Sequence, residues 1–246
     1  MQKYKPQFAN KDITDLTIAN CQACMRLNDI SEIGDGSHLL YFNMLGLFSF
    51  REWTMEEALD FWVTFLDTWL GITISHVTVH PDKEEEWSSL YSGYIPIPRI
   101  HLDRSCKWSD GEIGGYCTEF YVDDVEVGNI VNPLGDCIDA GFGLERLDYV
   151  VNNIKPKSAL EILEETIEVL LQSGYAPSNK QQGSILRALF RKLIRLGGKI
   201  NNYYYEQEKA RFEQRQEFYL THKDKYADKD AVWWLETHGV YVEDMN

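Results

Sequence analysis

Hydrophobic and polar positions change their period partway along the chain. From His38 to Ala140 apolar residues come in short or alternating runs. His38–Phe50 is apolar and aromatic with Gly46 at its middle, which predicts a strand pair or one long bent strand. Ile72–His80 alternates through Ile74, Val77 and Val79 and reads as a strand. Arg99–Leu102, Cys117–Val122, Val125–Val131 and Cys137–Ala140 read likewise. One helix interrupts them: Thr54-Met55-Glu56-Glu57 is a capping box, and the apolar-rich run behind it stops at Gly71. After residue 156 the period becomes helical. Ser158-Ala159-Leu160-Glu161 and Ser178-Asn179-Lys180-Gln181 are further capping boxes, closed by Gly174 and by Gly197-Gly198. Asn201 to about Leu220 is charged and Tyr-rich, and Asp230–His238 ends at Gly239; both read as helices. Strands first and helices later is α+β rather than alternating βαβ. The polar stretch Asn152-Asn153-Ile154-Lys155-Pro156 separates the two regimes, giving domains 1–151 and 152–246.

Charge sharpens that division. The 246 residues carry 24 Lys and Arg against 39 Asp and Glu, a net −15. Residues 1–151 hold ten basic and twenty-five acidic side chains, whereas 152–246 hold fourteen of each, so all the excess acidity lies in the first domain. The balance excludes an indiscriminate nucleic-acid binder, which carries a basic surface. It does not exclude local binding: Ser178–Ile200 contains Lys180, Arg187, Arg191, Lys192, Arg195 and Lys199 and no acid. Arg187, Arg191 and Arg195 recur every four residues on one helix face. That face is either solvated or phosphate-binding. With 44% hydrophobic and 13% aromatic residues the chain is not disordered. No apolar run reaches membrane length, and the N-terminus lacks an apolar leader segment. Five cysteines, an odd number, suit reduced thiols in a cytoplasmic protein. Cys21-Gln22-Ala23-Cys24 has half a zinc spacing but no second half, so ordinary cysteines are preferred and no zinc is expected.

Two stretches carry chemistry. Asp139-Ala140-Gly141-Phe142-Gly143-Leu144-Glu145-Arg146 alternates glycines at the end of a strand, where backbone approaches a ligand closely, and its arginine opens the next helix. Alone it reads rather as a tight strand-to-helix turn. Arg26-Leu27-Asn28-Asp29, the Gly34-Asp35-Gly36 turn and His38 through Gly46 form an arginine followed by a hairpin-like segment. Phe42 and Met44 share a strand face there, as core residues or as an apolar platform for a base.

Together these stretches resemble motifs 2 and 3 of the class II aminoacyl-tRNA synthetases, and most closely the catalytic and acceptor-stem region of the alanyl-tRNA synthetase family with a short, archaeal-type motif 2. Trp108 followed by Gly114-Gly115-Tyr116-Cys117-Thr118-Glu119 is similar to that family's tryptophan and glycine-rich segment, and Glu126-Val127-Gly128-Asn129 to the strand whose asparagine faces the amino acid. Ala176-Pro177-Ser178-Asn179 with Gly183 and Leu186-Arg187 resembles the approach to the tRNA-recognising helices, and Trp234–Gly239 a later Asp-Thr-Tyr-Gly segment. The resemblance implies an antiparallel catalytic sheet with flanking helices, followed by a helical domain.

It also implies roles. Arg26 would hold the ATP α-phosphate and the substrate carboxylate, and Arg146 the γ-phosphate, with Mg²⁺ bound to the phosphates. Phe42 and Met44 would pack near the adenine, with Asp29, His38 and Gly143 also at the nucleotide. Asn129 and Asp139 would take the substrate ammonium, with Gly141 beside them, and Trp108 would line the small side-chain pocket. Asn179, Arg187, Arg191, Arg195 and Glu236 would meet the tRNA acceptor stem, Glu236 standing where the family has aspartate and Leu47 where a polar residue is common. The family's motif 1 is missing or reduced and no editing domain is expected, which leaves the oligomeric state open. The resulting expectation is a minimal alanine–tRNA ligase that forms alanyl-adenylate and charges alanine tRNA. The alternative is an adenylating ligase that hands the aminoacyl group to a carrier protein or small metabolite. A non-catalytic paralogue is disfavoured by retention of both arginines.

Overall fold

The computed structural model describes residues 4–94 and 99–245. Met1–Lys3, the start of the stretch read as lacking a leader, lie outside the described residues. The α+β expectation holds. The chain forms two compact units: one runs through Arg26 and resumes over Asp35–Pro156, and the other joins Leu27–Gly34 to the segment from Lys157 onward.

In the first unit eight strands make one sheet among the described residues: β1 (Leu16–Met25), β2 (Tyr41–Phe50), β3 (His76–Val79), β4 (Ile100–Leu102), β5 (Lys107–Ser109), β6 (Gly114–Val122), β7 (Val125–Pro133) and β8 (Cys137–Gly143). Their order is β1-β2-β8-β7-β6-β3-β4, with β5 beside β6. The sheet was expected to be antiparallel, and one pair, β3–β4, is parallel. Parallel neighbours need a long crossover, and α3 (Glu84–Tyr91) lies between them. The apolar stretch from His38 is a single strand, so Gly46 makes no turn. The expected strand from Ile72 begins only at His76, because its partner β6 stops at Val122 and offers no further ladder. Helix α1 (Lys5–Ala9) and strand β1 were not anticipated; β1 is an edge strand whose residues are exposed or half-buried on both faces, so it shows no alternation to read.

One face of this sheet is apolar. Leu47, Ile138, Ala140, Phe142, Ile130, Phe120, Val77 and Val79 meet Leu59 and Trp62 of α2 (Met55–Thr64), Trp87 and Tyr91 of α3, and Leu147 of α4 (Leu144–Asn152). Trp62 stacks on Phe142 with ring centroids 4.0 Å apart. The Thr54–Glu57 capping box forms, and a π-helical turn over Phe65–Trp69 carries the helix toward Gly71. Strands β7 and β6 lose register once: Phe120 faces Gly128 and Tyr121 faces Glu126, leaving Val127 as the extra residue of a bulge. Gly128 is required there, because a Cβ would lie 2.2 Å from the Phe142 ring and 2.6 Å from the Gly141 carbonyl oxygen.

The second unit is helical: α5 (Ala159–Gln172), α6 (Gln181–Arg195), α7 (Tyr203–His222) and α8 (Ala231–His238). Ser158 and Glu161 form their capping box. The box read at Ser178 does not form: α6 starts later, at Gln181, and the Ser178 hydroxyl instead bonds Lys180. Leu163 and Ile167 of α5, with Leu186, Leu189, Phe190 and Leu193 of α6, are fully or nearly fully buried. Glu208 of α7 is 1% exposed and lies 3.0 Å from the Arg187 guanidinium, with Arg211 also paired to it. The 3₁₀ turn Leu27–Ser31 belongs to this unit through the Lys192 ammonium, which donates to the Ile30 carbonyl, and Gly34 packs against Ala159.

Gly128→Ala should cost about 1–3 kcal/mol through overpacking, read by urea denaturation; an unchanged midpoint would show that the β7–β8 approach yields freely. Glu208→Ala removes the buried carboxylate shared by the partly buried Arg187 and the half-exposed Arg211 and should cost about 2 kcal/mol; a loss under about 1 kcal/mol would mean that water screens the pair.

Candidate active site

Side chains on paired positions of neighbouring strands share a face. Following the register gives one row across the sheet opposite the apolar core: Asn20, Gly46, Gly141, Asn129, Glu119, Thr78 and His101. Two glycines of adjacent strands form the floor of this row, and amide and carboxylate side chains flank them. A Cβ at Gly46 would lie 2.7 Å from Asn20 Oδ1, and one at Gly141 3.2 Å from Met44 Sδ. The room these two glycines leave is taken up by Asn20, Phe48 and Met44, which therefore lie close over the floor of the face. Phe42 and Met44 lie on this same face of β2, and Met44 pairs with Gly143.

One end of the face is basic. Gly143 caps α4 and Arg146 lies in its first turn. The Arg146 Nε donates to the Ser37 carbonyl at 3.0 Å, and one Nη donates to the Glu126 carbonyl at 2.8 Å with Glu126 Oε2 at 3.4 Å. Among the described residues its second Nη carries no hydrogen bond, which leaves a fixed guanidinium edge for an anion. Glu126 is half-buried. Desolvation raises its pKa, and the charges of Arg146 and then Arg26 oppose that rise. Both arginines therefore act on one carboxylate. Arg26 follows β1 directly, with its N–H on the Leu40 carbonyl at 2.8 Å. Glu145 accepts from the Asn43 backbone N–H at 2.9 Å and from its side-chain amide at 2.9 Å, locking α4 to β2. His38 Nδ1 lies 2.5 Å from Asp35 Oδ2. Burial would raise the Asp35 carboxyl, but the His38 and Ser37 backbone N–H groups and the His38 ring hold it down at about 2.

The other end is acidic and apolar. Asp139 pairs with Val131 and Phe48, and burial pushes its carboxyl up to about 6. Trp108 packs against Val131 together with Cys106 and Cys117, so Trp108, Asp139, Asn129 and Gly141 lie on one part of the sheet. Asp29 lies on the Leu27–Ser31 turn, in the helical unit.

In the helical unit Ser178, Asn179, Ser184, Arg187, Arg191 and Tyr241 line a cleft of about 320 Å³. The Arg191 guanidinium sits over the Tyr241 ring at 4.1 Å, and burial lowers its pKa. Arg187 also contacts Asn179, and Arg195 approaches Glu243 at 3.8 Å. Acids from α7 and from beyond α8 thus answer two of the three arginines of a segment that has none of its own. Glu236 is exposed on α8.

The sequence reading did not single out Glu126, Glu119, Asn43 or Asn20. Strict alternation from Asn129 assigns Glu126 to the apolar face, and only the Val127 bulge returns it beside Arg146. Glu119 was visible only as the end of a glycine-rich segment. Cys21 and Cys24 lie on one strand three residues apart, which directs their thiols to opposite faces.

A family model described as tRNA synthetases class II (A) matches residues 1–131. The alanine–tRNA ligase of Chlamydia trachomatis serovar L2 is 25% identical over 81% of this chain and 31% of its own length. Those of Chlamydia muridarum and Endomicrobium trichonymphae are 28% and 27% identical, over 77% and 80% of this chain and 27% and 30% of their own. The chain spans about a third of the length of the curated relatives it matches.

Asp139 generates a pH signature. A carboxyl near 6 in the folded chain and about 3.9 in the unfolded one means the folded state binds more protons between those values. Stability therefore falls as pH rises across that window and is level above it. Asp139→Asn should remove this slope and gain on the order of 2 kcal/mol at pH 7, read as the difference between denaturation curves at pH 4 and pH 7; parallel curves for the two proteins would locate the titration elsewhere.

Proposed function

The chain belongs to the tRNA synthetases class II (A) family, and from that membership we propose that it activates alanine with ATP and passes the aminoacyl group to the 3′ end of alanine tRNA. The observation that carries the reading is the glycine-floored row, with an amide and a carboxylate at one end and a fixed guanidinium at the other. In the adenylating step the amino-acid carboxylate oxygen attacks the α-phosphorus of ATP, a P–O bond forms, and the bond to pyrophosphate breaks. Negative charge grows on the phosphates and no proton need move. Fixed cations and positioning then supply most of the catalysis. Arg26 suits the α-phosphate and the attacking carboxylate, and Arg146 the far phosphates. Mg²⁺ bound to those phosphates would neutralise charge, and Glu126, a desolvated hard oxygen donor beside Arg146, is the carboxylate that fits it. Asp139 and Asn129 suit the substrate ammonium. Because Asp139 ionises only near pH 6, ammonium binding should strengthen as pH rises through that value. Trp108 closes the side-chain end, where a single methyl group changes selectivity only modestly.

The helical cleft with Arg191, Asn179 and Ser178 supports a nucleic-acid acceptor. One observation favours the other acceptor class, a carrier protein or small metabolite. Arg187 is held by a buried glutamate and Arg195 faces Glu243, which leaves less positive charge for phosphates than the sequence suggests.

ATP–pyrophosphate exchange across the amino acids tests the activation step. Exchange with alanine is expected, and Arg146→Ala should lower it about 100-fold or more; no exchange with any amino acid would remove both readings. Arg191→Ala should leave exchange intact and weaken charging of alanine tRNA transcripts. Exchange without charging by the unaltered protein would select the carrier reading.

A further inference from the structure

Beside the acidic end of the row, three side chains that no motif joins come together. Cys106 precedes β5 and Cys117 lies on β6, and the Cys117 N–H donates to the Cys106 carbonyl at 3.0 Å, which makes them cross-strand neighbours. Both are buried, at 0% and 5% exposure. Glu119, two residues along β6, shares the Cys117 face. The two sulfurs and a Glu119 carboxylate oxygen lie within 4.8 Å of one another. Thr78 braces the group: its hydroxyl donates to Glu119 Oε2 at 3.0 Å, and Cys106 Sγ lies 3.0 Å from the same hydroxyl. The Tyr121 hydroxyl also donates to Oε2, at 2.8 Å. The second carboxylate oxygen, Oε1, has no hydrogen bond among the described residues.

Buried cysteines alone behave as small hydrophobes, and the flanking Val131 and Trp108 suit that role. A carboxylate held against two thiols does not.

We propose that Cys106, Cys117 and Glu119 bind a zinc-class divalent ion through two thiolates and one carboxylate oxygen, with a fourth position open on the ligand face of the sheet. Thiolate donors select zinc over magnesium or calcium. Tetrahedral zinc with bonds near 2.3 Å to sulfur places its donors about 3.5–3.8 Å apart, so side-chain rotations of an ångström or less close the site. Among the described residues no fourth Cys, His, Asp or Glu donor joins the group, and three protein ligands with one vacancy is the pattern of a zinc site that takes a ligand. Binding releases the two thiol protons to solvent. Thr78 and Tyr121 act as the outer shell that orients the carboxylate. Since Glu119 pairs with Asn129, and Val131 lies between Cys117 and Asp139, the vacancy adjoins the part of the face read as the amino-acid end. The expectation of no zinc rested on spacings along the chain, which do not reveal a pair brought together across strands. The ion site does not depend on the adenylation reading.

Elemental analysis of the protein purified under reducing conditions should give near-equimolar zinc. Cys106→Ser or Cys117→Ser should lose it, Glu119→Gln should hold it less tightly against a chelator, and Cys21→Ser should keep it. Cobalt(II) added to metal-stripped unaltered protein should give intense tetrahedral bands with thiolate charge transfer, a readout that needs no variant. A weak, octahedral cobalt spectrum would overturn the proposal. So would zinc that survives both cysteine substitutions, or a thiol count showing Cys106 and Cys117 joined as a disulfide in the reduced preparation. None of these measurements uses ATP or an amino acid, so metal-loaded protein without pyrophosphate exchange would count against adenylation alone.

Discussion

Every feature of the polar face depends on the register that β8 keeps with both of its neighbours. Gly141 faces Gly46 on one side and Asn129 on the other. The same pairing sets Phe142 inward, where it stacks on Trp62 and fills the space that Gly128 leaves open. A slip of one residue would exchange the two faces. Phe142 would occupy the ligand floor, and Gly141 would leave a void against α2. The packed core therefore holds the glycine floor in place: the apolar face cannot accept another register without losing its densest contact, and the ligand face has no side chains there to specify one. The bulge at Val127 adds a single local exception. It keeps Asn129 in register with Gly141 and turns Glu126 toward Arg146, joining the sheet to the start of α4 at the point where Glu145 also grips Asn43.

The face formed in this way collects acid. Glu119, Glu126 and Asp139 are half-buried on one side of a unit that carries a net −12 of the chain's −15. Burial raises both Glu126 and Asp139, an unfavourable state that a core selected for stability alone would replace with apolar residues. Neighbouring groups offset only part of it: Arg146 partly neutralises Glu126, and Thr78 and Tyr121 hydrogen-bond Glu119. What remains is cation-seeking. An ammonium, a phosphate-bound metal and a thiolate-bound metal would each relieve a different carboxylate.

Much of the architecture was legible along the chain, and the parts that were not share one cause. Capping at Thr54 and Ser158, the strand cores at Cys117–Val122 and Val125–Val131, and the change from strand to helix periods all rest on neighbours in sequence. So do Arg146 at a helix start and Gly141 at a strand end. The residues that escaped are those whose meaning is set by a partner strand. Strand β1 has no alternation because neither of its faces is fully covered. The segment from Ile72 looks like strand yet pairs only from His76, where β6 supplies a partner. Glu126 changes face through one unpaired residue, and Cys106 gains a second thiol from a strand eleven positions away. The Ser178 box failed for a related reason: its spacing was right, but the serine hydroxyl turned to Lys180, and the helix began at Gln181.

The same dependence on partners decides the charge of the helical unit. Read alone, Ser178–Ile200 is a basic segment without acids, and its arginines repeat at one helical face. In the folded unit α7 supplies Glu208, which is all but inaccessible to water and takes Arg187, while Arg195 meets Glu243. A guanidinium paired to a desolvated carboxylate presents little net charge to a phosphate but a rigid donor array. Arg191 differs. It rests on the Tyr241 ring, no acid among the described residues is paired with it, and burial, with the charges of Arg215, Arg195 and Arg187, lowers its pKa. Of the three, it is therefore the cation whose charge an incoming phosphate would most stabilise, and the cleft opens beside it. Arg187 and Asn179 wall that cleft, so even a unit of net charge −3 presents at Arg191 a cation that rests on a ring instead of an acid.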